Sequence, residues 1–267
     1  MLSILIGLAA AVIAAIFTNT FSSSWFWPTF AAIAGFVVVS ILLNLWIKRR
    51  LQKVVNQVQS MIQSNQAAIQ RKMNQLQNRG MTSAKGLQKQ LEKQQVGAIK
   101  EALKCLDQAE DLAKWNFFVK KQLDTMRGQL AYQIKDFEQA DKYLENSLNM
   151  DPMTVAMKMV RQYKKENMDE VEKLYKKGRK RFKNEQGAII FAAYSWMLVQ
   201  QDRIDDAIEV LNEGRDKTEN EVIEGNWEKL ANGRVKQFSN AGLGDAWFAL
   251  HLEKPKPVKV RQRRARR

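Results

Sequence analysis

Residue types that most often perform chemistry are scarce in this sequence. It contains one cysteine, Cys105, and one histidine, His251. A Cys/His zinc site, an internal disulfide and a histidine-based triad each need more of these residues than the chain has. The acidic residues are numerous, but their positions are typical of solvated helix charges, and no pair stands in an apolar setting that would tune its acidity. We therefore expect no catalytic site, no metal site and no cofactor.

Charge is the second chemical feature, and it is segregated along the chain. The net charge is +15, but residues 1–91 carry nine Lys and Arg and no acid, and residues 254–267 carry eight and no acid. The middle, 92–253, holds all 28 acidic residues against 26 basic ones. Because the excess of positive charge lies on the flanks, we favour a membrane-proximal protein over a nucleic-acid-binding domain, whose own surface would be basic.

Three groups of basic residues are candidates for contact with anionic lipid or another polyanion: Lys48, Arg49 and Arg50; Lys176, Lys177, Arg179, Lys180 and Arg181; and Arg261, Arg263, Arg264, Arg266 and Arg267. Near an anionic membrane each base contributes about 1 kcal/mol. For the second group, a solvated helix face is the alternative. For the third, RNA or ribosome binding is the alternative; we rank nucleic acid below lipid because the tail has no aromatic residues that would stack on bases.

The elements that position these groups begin with two apolar stretches, Leu2 to Phe21 and Phe30 to Ile47. Residues 1–47 contain no charged residue and no His. Each stretch approaches the roughly 20 residues that a helix needs to cross the hydrocarbon layer. The connector carries Trp25 and Trp27, which suit the headgroup level. We predict a transmembrane helical hairpin; a cleaved signal peptide is disfavoured because the first stretch lacks a basic start.

The bases that follow the second stretch predict the orientation of this hairpin. By the positive-inside rule, Lys48–Arg50 are cytoplasmic, so both termini of a two-span protein are cytoplasmic too. We expect a multi-pass protein of a bacterial-type inner membrane. Small residues every four positions, at Gly7, Ala11 and Ala15, would let the two helices approach closely. A homo-oligomer formed through the hairpin or through the segment that follows it is an open alternative.

Residues 48–92 have the pattern of a polar helical stalk. Steps of four and three define a heptad seam with two polar positions, Asn65 and Lys72. The seam comprises Leu51, Val55, Val58, Ile62, Asn65, Ile69, Lys72 and Leu76. A weak coiled coil, dimeric with Asn65 fixing its register, and a solvated helical stalk are both open interpretations. The run Arg79-Gly80 to Lys85-Gly86 predicts a break or hinge.

The middle of the chain repeats a pattern of small and apolar residues. Four sets share steps of four and three, and their first members lie 38, 31 and 36 residues apart: Ala102, Leu106 and Ala109; Ala140, Leu144 and Ser147; Val171, Tyr175 and Gly178; Ala207, Leu211 and Gly214. Each set fits the second helix of a helix–turn–helix pair, and Gly128 is a small residue of a first helix. The pattern over about 95–218 resembles the tetratricopeptide repeat (TPR).

This resemblance implies an α-solenoid whose first helices line a concave groove that binds peptide segments. By this resemblance, nine residues of the chain correspond to groove-lining positions of the family: Thr125, Gln129, Tyr132, Ala156, Val160, Tyr163, Ala192, Trp196 and Val199. The Lys/Asn arrangement with which some members bind a C-terminal carboxylate is absent, so we expect an apolar or aromatic ligand from an unidentified protein partner. The alternative is that Tyr163 and Trp196 are interior packing.

We assign the chain to the all-α class: a two-helix transmembrane hairpin, a helical stalk and a TPR-like α-solenoid. The expected domains are the hairpin at 1–47, the stalk or coiled coil with its hinge at 48–92, the repeats at 93–218, capping helices at 219–252 and a disordered basic tail at 253–267. Trp247, Phe248, Leu250 and Leu252 predict a last helix that docks on the stack. The favoured function is a membrane-anchored cytoplasmic scaffold or adaptor; the alternatives are an RNA or ribosome tether and a structural component of envelope assembly.

Overall fold

The structure is a computed structural model that describes residues 2–20, 26–78 and 84–254, with side chains given throughout these ranges except at 76–78 and 84–89. All regular secondary structure in these residues is helical, which confirms the all-α class. The chain divides into two compact units, 1–147 and 148–267. This division falls inside the segment 93–218 that the sequence groups as one repeat domain. A continuous solenoid stays a prediction.

Each unit is a set of helices joined by short turns. The first unit contains α1 (Leu2–Asn19), α2 (Phe26–Asn78), α3 (Ala84–Asp107), α4 (Glu110–Ala113), α5 (Phe117–Gln133) and α6 (Phe137–Glu145). The second contains α7 (Pro152–Lys164), α8 (Met168–Arg181), α9 (Ala188–Gln200), α10 (Ile204–Thr218), α11 (Glu221–Ala231) and α12 (Asp245–Phe248), with short 3-10 helices at Glu185–Gly187, Val235–Gln237 and Ala241–Leu243.

Helices α1 and α2 are both long and apolar enough to cross a membrane. Of the 24 large apolar residues that are exposed in the described part of the chain, 19 lie within 2–46. Small residues let the two helices approach. A Cβ on Gly7 would lie 2.9 Å from Phe36 Cε2, and a Cβ on Gly35 would lie 3.2 Å from that of Ala14. The order of these contacts makes α1 antiparallel to the first part of α2.

The apolar seam of α2 beyond residue 46 is covered by α3 of the same chain. One buried cluster contains Ile47, Leu51, Val55 and Val58 of α2 together with Ile99, Ala102, Cys105 and Leu106 of α3. The polar positions of the seam are paired as well. Gln94 on α3 donates from Nε2 to Asn65 Oδ1 at 3.1 Å and accepts from Lys72 Nζ at 2.7 Å.

This packing adds an intramolecular arrangement to the two interpretations of the stalk: α3 of the same chain covers the seam over Leu51–Val58, whereas the α2 side chains at 71–75 are exposed. A coiled coil between two copies of the chain stays a prediction. An apolar seam shows that a helix will cover it but does not show which one. The set that begins at Ala102 belongs to one cluster with residues of both α2 and α5. Of the expected hinge, 79–83 lie outside the described residues, and α3 has begun by Ala84.

Three turns between paired helices share one local geometry. Lys135, Glu166 and Asp202 each adopt a left-handed conformation, with φ of 61°, 59° and 59°. In each turn the following residue donates its N–H to a carbonyl five positions earlier, at 3.0 Å. This hydrogen bond ends the first helix of the pair. Where that following residue is Asp136 or Asn167, its side chain also caps the second helix, so the sequence fixes both sides of the turn.

The small residues of the repeated pattern stand at close helix contacts within each unit. A Cβ on Gly128 would lie 2.8 Å from Leu144 Cγ, and one on Gly214 would lie 2.9 Å from Phe191 Cγ. All four sets of the pattern are buried. The spacing therefore identified true core positions of helix pairs.

Candidate binding face

Helix α9 is apolar around its whole circumference, and every residue from Ala188 to Leu198 is buried. A helix with this composition must be covered on all sides. Helices α7, α8, α10 and α11 contact it. The face that carries Ala192 and Trp196 is covered by residues 239–254, which we call the C-terminal segment.

Two buried asparagines hold the start of the C-terminal segment. Asn240 donates from Nδ2 to the carbonyl of Ala192 at 3.0 Å. Asn226 on α11 donates from Nδ2 to Asn240 Oδ1 at 2.8 Å and accepts from the backbone N–H of Ser239 at 3.2 Å. These bonds satisfy amide groups that are removed from water, where unpaired polar atoms are costly. They fix the point at which the segment meets α9.

An aromatic cluster and one carboxylate hold the end of the segment. Ring centroids of Tyr163 and Trp196 lie 6.1 Å apart, and those of Trp196 and Trp247 lie 6.3 Å apart, both edge to face. The carboxylate of Glu253 accepts from Trp196 Nε1 at 2.7 Å and from Trp247 Nε1 at 2.9 Å. Trp247 and Leu250 are fully buried. The α9 face therefore contacts two apolar anchors and one acid of a partly helical segment of the same chain.

The groove residues expected from the resemblance do not line an open groove. Four of those in the second unit are buried: Ala156, Val160, Ala192 and Trp196. Tyr163 and Val199 are half-buried. The chain's own C-terminal segment covers part of this face, and a groove pattern alone does not predict that occupant. Docking of Trp247 and Leu250 was expected; the roles of Glu253, Asn226 and Asn240 were missed, since single polar residues give no periodic signal.

The groove residues expected in the first unit are also partly internal. Tyr132 is fully buried and packs edge to face on Phe137, with ring centroids 5.5 Å apart. Thr125 and Gln129 are half-buried. Thr125 donates its hydroxyl to the carbonyl of Lys121 at 2.7 Å, one turn earlier. Tyr132 therefore belongs to the core of the helix pair and not to its surface.

The basic residues proposed to contact polyanions fall into different environments. Exposed bases at the end of the apolar part of α2 are Lys48, Arg49 and Arg50, and exposed bases on α8 are Lys176, Lys177, Lys180 and Arg181. Lys176 pairs with Glu172 at 2.5 Å. The five arginines of the tail lie outside the described residues.

Arg179 differs from its neighbours because it is engaged inside the second unit. It pairs with Glu213 on α10, which also accepts from Lys217 Nζ at 2.5 Å and from the Tyr175 hydroxyl at 3.2 Å. Burial alone would raise the pKa of Glu213, but the bonds from Lys217 and Arg179 outweigh it and lower that pKa. Burial and the Glu213 charge raise the pKa of Tyr175 above its usual range. Arg179 therefore ties α8 to α10, and this role competes with contact to an external polyanion.

Within the part of the chain that the structure describes, no group of three or more His, Cys, Asp or Glu residues lies close enough to hold a metal ion. The fold and the covered face together define an all-helical protein with two apolar N-terminal helices and an α9 face that the chain's own C-terminal segment covers. No family model, no curated protein and no solved structure matches the chain.

Proposed function

We propose that this chain is a membrane-anchored cytoplasmic adaptor of the TPR type, which holds a partner protein at a bacterial-type inner membrane. In this proposal, α1 and the first part of α2 form the transmembrane hairpin. The strongest support for the anchor is the exposure of large apolar side chains over residues 2–46. Soluble proteins rarely expose contiguous apolar surface of this extent, whereas the interior of a bilayer suits it.

The proposed topology has both ends of the hairpin in the cytoplasm. The exposed bases Lys48, Arg49 and Arg50 support it, because Lys and Arg next to a span favour the cytoplasmic side. A cysteine introduced at Ser23 should then react with a membrane-impermeant maleimide on intact cells, and one introduced at Met150 should react only after the inner membrane is opened. The unsubstituted chain supplies the background, since Cys105 is buried. Reaction of both sites from the same side would contradict the topology.

The binding role is supported by what the α9 face already accommodates. It covers two apolar anchors, Trp247 and Leu250, and hydrogen-bonds the acid that follows them, Glu253. A partner segment with an aromatic anchor and a nearby acid would suit the same face. We propose that such a segment competes with the C-terminal segment, which occupies the face when no partner is bound.

Affinity capture of the full-length protein from native membranes in mild detergent tests this role. Replacing Glu253 by Gln loosens the C-terminal segment without altering the face, so more of a specific partner should be recovered. Adding Trp196→Ala to that variant removes the indole ring from the α9 face, so the amount of partner recovered should fall. Glu224→Gln, an exposed substitution on α11, is the matched control and should leave recovery unchanged. Equal recovery from all four proteins would refute binding at this face.

A further inference from the structure

The turn between α4 and α5 is tied to the start of α1. We call residues 114–118 the aromatic loop. The N–H of Leu2 donates to the carbonyl of Lys114 at 3.4 Å. The hydroxyl of Ser3 donates to the carbonyl of Trp115 at 2.8 Å, and the N–H of Ser3 donates to the same oxygen at 3.4 Å. The loop therefore lies beside the first turn of an apolar helix.

The aromatic loop is also tied to α2, and this contact fixes its level. Asn116 donates from Nδ2 to Asn44 Oδ1 at 3.2 Å, and the rings of Trp115 and Trp46 meet edge to face at 5.6 Å. Asn44 precedes Lys48 by four residues, about 6 Å along a helix axis. The loop is thus level with the end of the apolar part of α2, on the apolar side of its first charged residue.

Two neighbouring phenylalanines are exposed at this level. Phe117 is 51% exposed and Phe118 is 67% exposed. The side chain of Asn116 accepts from the N–H of Phe118 at 2.8 Å and so starts α5 at these residues. Among the described residues after 46, the other exposed large apolar residues stand singly, at Met73, Met150 and Val235. Within the described residues after 46, this loop is therefore the place where two adjacent aromatic side chains are exposed.

The surroundings of the pair are basic. Lys120 is exposed and Lys121 is half-buried on the first turns of α5, and Lys121 Nζ lies 4.6 Å from the ring centroid of Phe117. On α2, the Arg50 guanidinium lies 5.1 Å from the ring of Trp46. The acid nearest the loop in sequence, Asp111, is paired with Lys114 at 2.7 Å. Aromatic rings flanked by bases suit the headgroup layer of an anionic membrane.

We propose that the aromatic loop is a third membrane contact, in which Phe117 and Phe118 enter the headgroup–acyl boundary of the leaflet next to Lys48–Arg50. Its partner is an anionic lipid surface. The inference rests on the membrane anchoring proposed above. Because the loop joins α4 to α5, the contact would hold this part of the first unit against the membrane, in addition to the attachment that α2 provides.

Depth-dependent fluorescence quenching tests this contact on the full chain in vesicles of phosphatidylcholine and phosphatidylglycerol. An environment-sensitive dye is attached to a cysteine at one of three positions. Phe118→Cys reports on the loop, Val38→Cys on the span, and Met73→Cys on a 39% exposed apolar site of α2, about 35 Å beyond Arg50 along the helix axis. The unsubstituted chain gives the background from buried Cys105. Lipids carry the nitroxide quencher near the headgroup or in the middle of the acyl chain.

The three labels separate failure of the loop contact from failure of the anchor. The Phe118 label should lose fluorescence to the quencher near the headgroup, the Val38 label to the quencher in mid-chain, and the Met73 label to neither. Quenching at Val38 with none at Phe118 would overturn the loop contact, leave the anchor in place and assign the aromatic pair to another partner. Absence of quenching at Val38 would overturn both proposals.

Discussion

Trp196 and Glu253 lie 57 residues apart in the sequence, and the indole N–H of the first donates to the carboxylate of the second at 2.7 Å. The same carboxylate accepts from Trp247, so one acid joins a helix of the second unit to the end of the described chain. Hydrogen bonds to a charged acceptor are about twice as strong as neutral ones. Glu253 is therefore the residue whose loss should most selectively release the C-terminal segment.

Replacing Glu253 by Gln should loosen the C-terminal segment while the helix pairs stay folded. The amide accepts from only one indole, so the free energy of unfolding should fall by about 1–2 kcal/mol. Amide hydrogen exchange over residues 239–254 should quicken, whereas exchange in α9 should change little. Glu224→Gln is the control. Unchanged exchange in the segment would contradict the role assigned to Glu253.

Adding a methyl group at Gly214 should destabilise the second unit. The new Cβ would lie 2.9 Å from Phe191 Cγ, so Gly214→Ala should cost about 1–3 kcal/mol by overpacking. Gly225 on α11 has no neighbouring atom within 4 Å of the same position, so Gly225→Ala should stabilise by about 0.5–1 kcal/mol. Chemical denaturation in detergent micelles measures both. Equal effects of the two substitutions on the free energy of unfolding would mean that Gly214 does not lie at a close helix contact.

Replacing Arg127 by Met should destabilise the first unit. The buried guanidinium donates to Asp107 at 2.8 Å and to Glu110, and so links α5 to the end of α3 and to α4. Loss of these bonds should cost about 2–3 kcal/mol. Lys173→Met removes an exposed ion pair on α8 and should cost less than about 0.5 kcal/mol. Denaturation of both variants would test this, and a similar cost for the two would count against a structural role of Arg127.

The bonds from Arg179 and Lys217 to the Glu213 carboxylate should make the stability of the second unit depend on pH in the acid range. The folded-state pKa of Glu213 is lowered from the ordinary value of 4.5, so the charged form stabilises the fold above that pH. This contribution is lost as pH falls through the folded pKa. The melting temperature of Glu213→Gln should lie below that of the unsubstituted chain at neutral pH, and the gap should close in acid. A gap that stays constant with pH would exclude this account.

The sequence predicts helix pairs well because their signals are local and redundant. Asp136 and Asn167 cap the second helices of two pairs, and the small residues Gly128, Gly178 and Gly214 mark close contacts. Each of these signals lies within one pair, where spacing alone determines which residues meet. The apolar N-terminal helices are equally clear because their composition is uniform over a whole span.

Partners across long separations could not be predicted in the same way. The seam of Leu51 and Val55 requires an apolar cover, but several helices of this chain, or a second copy, could provide it. The covering of Trp196 by Trp247 and Glu253 has the same character. In both places the amphipathic pattern predicts that a helix face is buried, but only the tertiary structure identifies the residues that cover that face.

Site-specific photo-crosslinking in intact cells tests the adaptor most directly. The photoreactive residue replaces Tyr163, which is half-buried and whose ring lies 6.1 Å from that of Trp196. In the otherwise unsubstituted chain, crosslinks should form mainly to the C-terminal segment of the same molecule. With Glu253→Gln added, a crosslink to one other protein should increase in the membrane fraction. If both forms crosslink only within the chain, the face is internal packing and the adaptor proposal is wrong.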